Sequence, residues 1–211
     1  MKKILFLGIY IFTGYMVFSQ IYFNIDAGIG FSSAIISYEK TITNPYSANS
    51  YLTSRESLPF NSFSMECNVE ALIDFLGPDF KIGMGFNFLK NFNEDFNYSH
   101  INLYYLAQYY FWNFRSSITI GVGFGLMFYN AREGVFIQEK YTSPTSYSYG
   151  DFMMISNNGI VYALPINITL RKFFSNGIYV FGRGNIDVLF THYGEFDGFT
   201  LGILAGVGIS F

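Results

Sequence analysis

The chain alternates. From Ile21 onward an apolar side chain occupies every second position, beginning with Ile21, Phe23, Ile25, Ala27, Ile29 and Phe31. Between them stand Asn24, Asp26, Gly28, Gly30 and Ser32. Successive side chains of a strand point to opposite faces, so this is an extended segment with one apolar face and one small or polar face. The pattern returns in seven further segments: Phe63–Ile73, Phe80–Phe88, Ile101–Tyr109, Ile118–Phe128, Ile160–Leu170, Ile178–Val188 and Phe199–Phe211. In the seventh segment overall, Gly182 and Gly184 interrupt the apolar face. Beyond the first twenty residues no run reaches the roughly eighteen apolar residues of a membrane-crossing helix.

Eight half-apolar strands of about ten residues fit two architectures, a transmembrane barrel with its apolar face outward or a soluble eight-stranded barrel with that face inward. Composition favours the first. The chain is 51% hydrophobic and 21% aromatic, with 26 Phe and 18 Tyr, but only 13% charged, where soluble domains carry about 25% charge. The face between the apolar residues is rich in glycine and too poor in charge to hold a large surface in water. The apolar face is too bulky for a narrow lumen. The expected fold is therefore an all-β, antiparallel, up-and-down eight-stranded transmembrane barrel covering residues 20–211.

The first nineteen residues read as a cleaved secretory signal. Met1-Lys2-Lys3 is a basic start, Ile4 to Phe18 is an apolar run, and cleavage after Ser19 would leave Gln20 at the new terminus. Removing Lys2 and Lys3 takes the 12 basic residues to 10 against 15 acidic ones, a net charge of −5. Such a chain has no electropositive surplus for phosphates, so nucleic acid is not an expected partner. The single cysteine, Cys67, excludes an intramolecular disulfide framework and falls on the apolar face.

Connections alternate in length. Polar stretches at 39–59, 89–98, 130–158 and 191–197 read as loops at one end, and 76–79, 113–116 and 175–177 as turns at the other. Barrels of the outer membrane have short periplasmic turns and longer external loops, which places both termini in the periplasm. Tyr46 and Tyr51 in the first loop, and Tyr141, Tyr147 and Tyr149 in the longest, supply amphipathic contact chemistry.

The lumen should carry the charge. Asp26, Glu66, Glu70 and Asp187 fall at middle depths with Arg183, and Asp74, Lys81 and Arg171 near the periplasmic end. Glu66 and Glu70 on one face of a strand suit acid–base work in spacing, but an eight-stranded lumen is normally filled and has no cleft for a sugar. Paired burial against Arg183 is the plainer expectation. The Gly-x-Gly repeats, such as Gly121-Val122-Gly123, lie inside strands with no helix following, so they do not cradle phosphate. They instead leave room for long inward side chains such as Tyr104, Tyr110 and Arg183. Neither His100 nor His192 assembles a nucleophile–base–acid set, because Ser99 and Thr191 are adjacent residues on opposite strand faces. No catalytic residue, metal site or cofactor is expected. Tyr105, Tyr109, Phe111 and Trp112, with Phe75, Phe114, Phe173 and Phe174, form an expected aromatic girdle at the periplasmic boundary.

Together the signal, the eight alternating segments and the terminal stretch Ile203–Phe211 resemble small outer-membrane β-barrels of the OmpA/OmpX type. The ending Val207, Ile209, Phe211 is similar to the signal by which the barrel-assembly machinery recognises its clients. The Phe/Tyr/Asn/Ile-rich style and the signal ending Phe18-Ser19-Gln20 are similar to the "outer membrane protein beta-barrel domain" proteins of Bacteroidota. The resemblance implies a monomer in contact with outer-membrane lipid of a Gram-negative cell. It implies a structural or surface-interaction role rather than catalysis, with a lipid-modifying enzyme or a narrow pore as the alternatives.

Overall fold

The computed structural model describes residues 20–43, 51–132, 158–174, 177–190 and 196–211. They form eight strands: β1 Ile21–Thr43, β2 Tyr51–Asp74, β3 Phe80–Phe92, β4 Phe96–Phe111, β5 Ser116–Ala131, β6 Asn158–Phe173, β7 Ile178–Phe190 and β8 Phe196–Ser210. Each strand pairs antiparallel with its sequence neighbours, and β8 closes onto β1. The eight-stranded closed barrel expected from the alternation is the fold of the chain. The proposed signal, residues 1–19, lies outside the described residues.

Register fixes the barrel's shape. Partners followed around the wall run Asp26, Asn68, Asn87, Asn102, Gly125, Ala163, Leu189 and Gly198, and return to β1 at Ile36, ten residues beyond the start. Eight strands with that stagger tilt by about 40° and close at a radius of about 8 Å. Such a bore is filled by side chains.

The outer surface is an apolar belt. Ile21 to Phe31 on β1, Phe63 to Ile73 on β2, Ile101 to Phe111 on β4, Ile118 to Phe128 on β5 and Ile160 to Leu170 on β6 each span eleven residues with alternate side chains facing out. Ten steps of about 3.3 Å at that tilt give a belt about 25 Å tall. Its edge nearest the termini carries Tyr109, Phe111, Trp112 and Phe114, all exposed, with the Tyr109 and Phe111 rings 4.9 Å apart. Tyr105, expected in that girdle, instead pairs with Met84 and Val122 in the middle of the belt. A second aromatic rim, not foreseen in the sequence, runs along the opposite edge: Phe31 against Phe63 at 6.4 Å, Phe63 against Phe92 at 6.3 Å, and Tyr162 against Phe124 and Phe190 at 5.9 and 5.8 Å.

Two expected loops are largely strand. The stretch 39–59 continues the β1–β2 ladder as far as Thr43 opposite Tyr51, which puts Tyr51 in a strand. The stretch 89–98 shrinks to a turn at 93–95 between β3 and β4, where Asn93 Oδ1 accepts from the N–H groups of Asp95 and Phe96 at 2.9 Å each. In their described parts Ser57, Lys90 and Asn97 face outward, so composition imitates a loop. Tyr46, Tyr141, Tyr147 and Tyr149 lie outside the described residues, as does His192. At the other end, Leu76 and Gly77 take positive φ (59° and 128°) in the β2–β3 turn, and Trp112–Phe114 form one turn of 3-10 helix.

Polarity inverts along the axis. Within the belt the wall is apolar outside and mostly polar inside, where Leu72, Tyr104 and Leu106 form a small apolar cluster. Towards the β1–β2 hairpin, Ala34, Ile36, Phe60, Phe96, Tyr98, Met127, Tyr129 and Val161 turn inward into one buried cluster. Ser33, Ser57, Asn61, Asn97 and Asn130 turn outward there instead.

Candidate functional site

The candidate site is the polar interior of the belt, built by every strand at the positions that the apolar belt skips. Two guanidiniums organise its middle. Arg183 on β7 contacts Glu66 through Nη1, places Nη2 3.2 and 3.1 Å from the two carboxylate oxygens of Asp26, and donates from Nε to Thr169 Oγ1 at 2.8 Å. Glu70 lies 3.8 Å away, a weaker approach. Arg171 on β6 contacts Glu70 directly, donates to Thr119 Oγ1 at 2.6 Å and lies 3.6 Å from Asp26. The side chains of both arginines are buried, 0% and 1% exposed, and so are those of their carboxylate partners. A charge sealed in this way is tolerable only with partners on most of its donors.

Neutral groups complete the network. Asn24 and Asn68 donate to Glu70 at 3.0 Å each, Asn185 donates to Glu66 at 2.9 Å, and the Tyr179 hydroxyl donates to Asp26 at 3.0 Å. The Arg183 guanidinium also sits 4.8 Å above the Phe181 ring, a cation–π distance. That ring is admitted by glycine: a Cβ at Gly28 or Gly206 would lie 2.8 or 2.7 Å from its edge. The inward glycines thus make room for Phe181 and Tyr179 rather than for Tyr110 and Arg183. Gly182 and Gly184, on either side of Arg183, face outward into open space.

Three placements differ from the sequence reading. Arg171 belongs to the middle network, because its long side chain reaches Glu70 and Asp26 from a start nearer the turns. Asp187 does not belong to it. Its Oδ2 accepts from Thr200 at 2.6 Å and lies 3.2 Å from His100 Nδ1, an ion-pair distance without hydrogen-bond alignment. His100 is therefore a fully buried lumen residue, its ring 5.1 Å from that of Tyr98 and tilted to it by 57°, and not part of an external rim. Its neighbour Ser99 faces the opposite side of the wall, so the two side chains do not come together. Lys81 and Asp74 pair separately at 2.7 Å near the turns, beneath the Tyr22 ring and hydroxyl.

Above the charges the bore is closed twice. A polar collar joins Ser32 to Ser64 at 2.5 Å, with Asn91 and Tyr98 donating to Ser32 at 2.8 and 2.9 Å. Next comes the apolar cluster around Met127, where Phe60 stacks on Phe96 at 4.8 Å and Phe96 on Tyr129 at 5.6 Å. Nothing in the sequence reading anticipated this seal. Its signal was the switch from Ile29 and Phe31 to Ala34 and Ile36, a change of face within one strand.

At the C-terminus Phe211 completes the wall. Its backbone exchanges hydrogen bonds with Phe23 at 2.8 and 3.0 Å, and its ring stacks on Phe23 at 5.9 Å. Val207 and Ile209 face outward on the same strand, and Cys67 is exposed within the belt.

No protein-family profile and no curated protein matches the sequence. Solved structures do resemble it. Neisserial surface protein A is 8% identical, with 90% of this chain and 97% of that one covered, at a TM-score of 0.46. Ail, the attachment invasion locus protein of Yersinia pestis, in complex with the heparin analogue sucrose octasulfate, is 12% identical over 89% and 99%, at 0.45. The N-terminal β-barrel domain of Pseudomonas aeruginosa OprF is 13% identical over 87% and 99%, at 0.37. These are likenesses of shape between chains whose sequences have little in common.

Proposed function

We propose that this chain is an outer-membrane β-barrel of a Gram-negative cell, with periplasmic termini and a structural or surface-interaction role that involves no catalysis. The observation that carries the reading is the pairing of a 25 Å-scale apolar belt with a β1–β2 ribbon that continues past it. An apolar surface closed around a whole barrel is stable in lipid and would aggregate in water. At the base of that ribbon Ala34, Ile36 and Phe60 face inward and Ser33, Ser37, Ser57 and Asn61 outward, as a water-exposed extension requires. Contact chemistry at Tyr46, Tyr51, Tyr141, Tyr147 and Tyr149 belongs to the same proposal, as does recognition of Val207, Ile209 and Phe211 by the barrel-assembly machinery. The packed lumen favours a monomeric stave over a pore, since the bore is crossed by the arginine network and again by the apolar seal.

The test replaces residues 39–58 with a two-residue turn. Retained heat-modifiable barrel with lost cell adhesion supports a surface-interaction role, and retained adhesion with a detergent-sensitive envelope supports a structural one. Turnover of a phospholipid by the refolded protein, or steady single-channel conductance in a planar bilayer, would overturn the reading in favour of an enzyme or a pore.

A further inference from the structure

The β1–β2 ribbon has an open edge. β2 keeps β1 beside it as far as Tyr51, but its ladder to β3 ends at Phe63 opposite Phe92. Beyond that point the wall steps down to the β3–β4 turn at 93–95. The other side of the ribbon is covered further, since β1 keeps β8 as far as Tyr38. Among the described residues, then, β2 has a strand on one side only from Tyr51 to Pro59. Pro59 stands about 10 Å and Tyr51 about 30 Å above the rim residue Phe63, at 3.3 Å per residue and the tilt of the wall. Both lie beyond a headgroup layer roughly 5–8 Å deep.

The phase of the edge is fixed. A residue of a ladder turns its N–H and C=O to one side, and the next residue turns them to the other. The Asn61 carbonyl faces the β3 side, where it accepts from Asn93 Nδ2 at 2.9 Å. Tyr51, Thr53, Arg55, Ser57 and Pro59 share its phase. Each offers a carbonyl to the open side, and all but Pro59 offer an N–H. Leu52, Ser54, Glu56 and Leu58 turn theirs towards β1. Pro59 therefore costs the β1 ladder nothing and marks the lower end of the donor row. Asn93 also lines a groove of about 650 Å³ at the foot of the edge, with Phe92, Glu94, Asn97, Asn130 and Arg132.

A row of main-chain donors and acceptors in this phase is matched by another extended strand. Leu58 packs against the buried apolar cluster and Phe60 belongs to it, while Ser57 faces outward. A strand added beside them continues both faces, apolar over the seal and polar in water. A second copy at the same depth in the same membrane is a poor occupant, because its β2 runs in the same direction with N–H level with N–H. We propose that the open edge of β2 captures an extended segment of a partner protein, about nine residues alternating apolar and polar, as a further strand of the wall. The inference deepens the surface-interaction reading, on which it rests for the place of the edge outside the membrane.

The experiment uses the full barrel refolded in detergent micelles and a fluorescein-labelled peptide of about nine residues that alternates valine with serine or lysine. Amide hydrogen exchange of the free barrel should be fast at Tyr51, Thr53, Arg55 and Ser57 and slow at Leu52, Ser54, Glu56 and Leu58. The peptide should slow the first set. Its fully N-methylated form, and a reordered form without alternation, should bind about tenfold more weakly by fluorescence polarisation. Thr53→Pro and Ser57→Pro each remove one edge donor and keep the bonds to β1, so each should weaken binding about fivefold. Should either variant misfold, the methylated peptide on the wild-type barrel reads the same bonds. Absence of binding, equal binding of the methylated peptide, or slow exchange of the first set in the free barrel would overturn the proposal. Protection that rises with barrel concentration would overturn it in favour of a second copy. Any of these results, together with lost adhesion when residues 39–58 are replaced, would strike the edge and leave the surface role standing.

Discussion

Removing the Arg183 side chain tests the arginine network most sharply, because its partners differ in what they have left. In Arg183→Ala, Asp26 keeps Arg171 at 3.6 Å and the donors Asn68 and Tyr179 at 3.2 and 3.0 Å. Glu70 keeps its direct contact with Arg171 and never came closer to Arg183 than 3.8 Å. Glu66 loses its cation and retains only the Asn185 amide. The cost therefore falls on one carboxylate. Breaking a buried pair from one side costs about 3–5 kcal/mol, which lowers the urea midpoint by about 1–2 M for a barrel of this size. Adding Glu66→Gln removes the stranded charge and should recover a large part of that loss. Adding Glu70→Gln should recover none, since it weakens the Arg171 pair instead. Urea unfolding of the refolded single and double variants, followed by tryptophan emission and by gel mobility, reads all three. Wild-type behaviour of Arg183→Ala would mean that water screens the centre of the bore, and equal rescue by both double variants would mean that the partners are not individually matched.

Three further outcomes follow from the geometry. Met127→Ala, in the apolar seal, should cost about 2–5 kcal/mol, whereas Met65→Ala on the belt should stay within about 0.5 kcal/mol; chemical unfolding of the pair compares an inner with an outer methionine. Deleting Phe211 removes both backbone bonds and the ring stack to Phe23, so the yield of heat-modifiable barrel in the outer membrane should fall. Protease added to intact cells should cut within 39–59 or 130–158 and spare the turn at 76–79, and the reverse pattern would invert the proposed orientation.

The barrel was legible because one rule, apolar outside and largely polar inside, holds for about ten residues at a time on most strands. β7 departs from it, with Gly182 and Gly184 outward and Phe181 inward. Where that rule changes, the sequence misleads. Beyond Phe31 the wall leaves the belt, and Ser33, Ile35 and Ser37 face outward with no need to be uniformly greasy; the same stretch then reads as a loop. The inward turn of Ala34, Ile36 and Phe60 has the physics of a soluble barrel, and no single strand announces it. Arg171 was misplaced because a side chain of its length reaches well beyond the height of its own Cα. Asp187 and His100 are 87 residues apart in sequence and meet only through the stagger of ten that closure imposes. Charge and face were readable; the pairing of individual charges across the bore was not.

The central claim is that the belt lies against lipid and the alternate face lines a packed interior. Cys67 on β2 sits mid-belt and exposed, and the next residue, Asn68, is buried inside. A spin label on native Cys67, with the barrel in lipid vesicles, should collide readily with oxygen and rarely with a water-soluble nickel complex. A label at Asn68→Cys, in a Cys67→Ala background, should be immobile and shielded from both. Nickel collisions dominating at position 67 would put that face in water, and the account of an outward apolar belt would be contradicted.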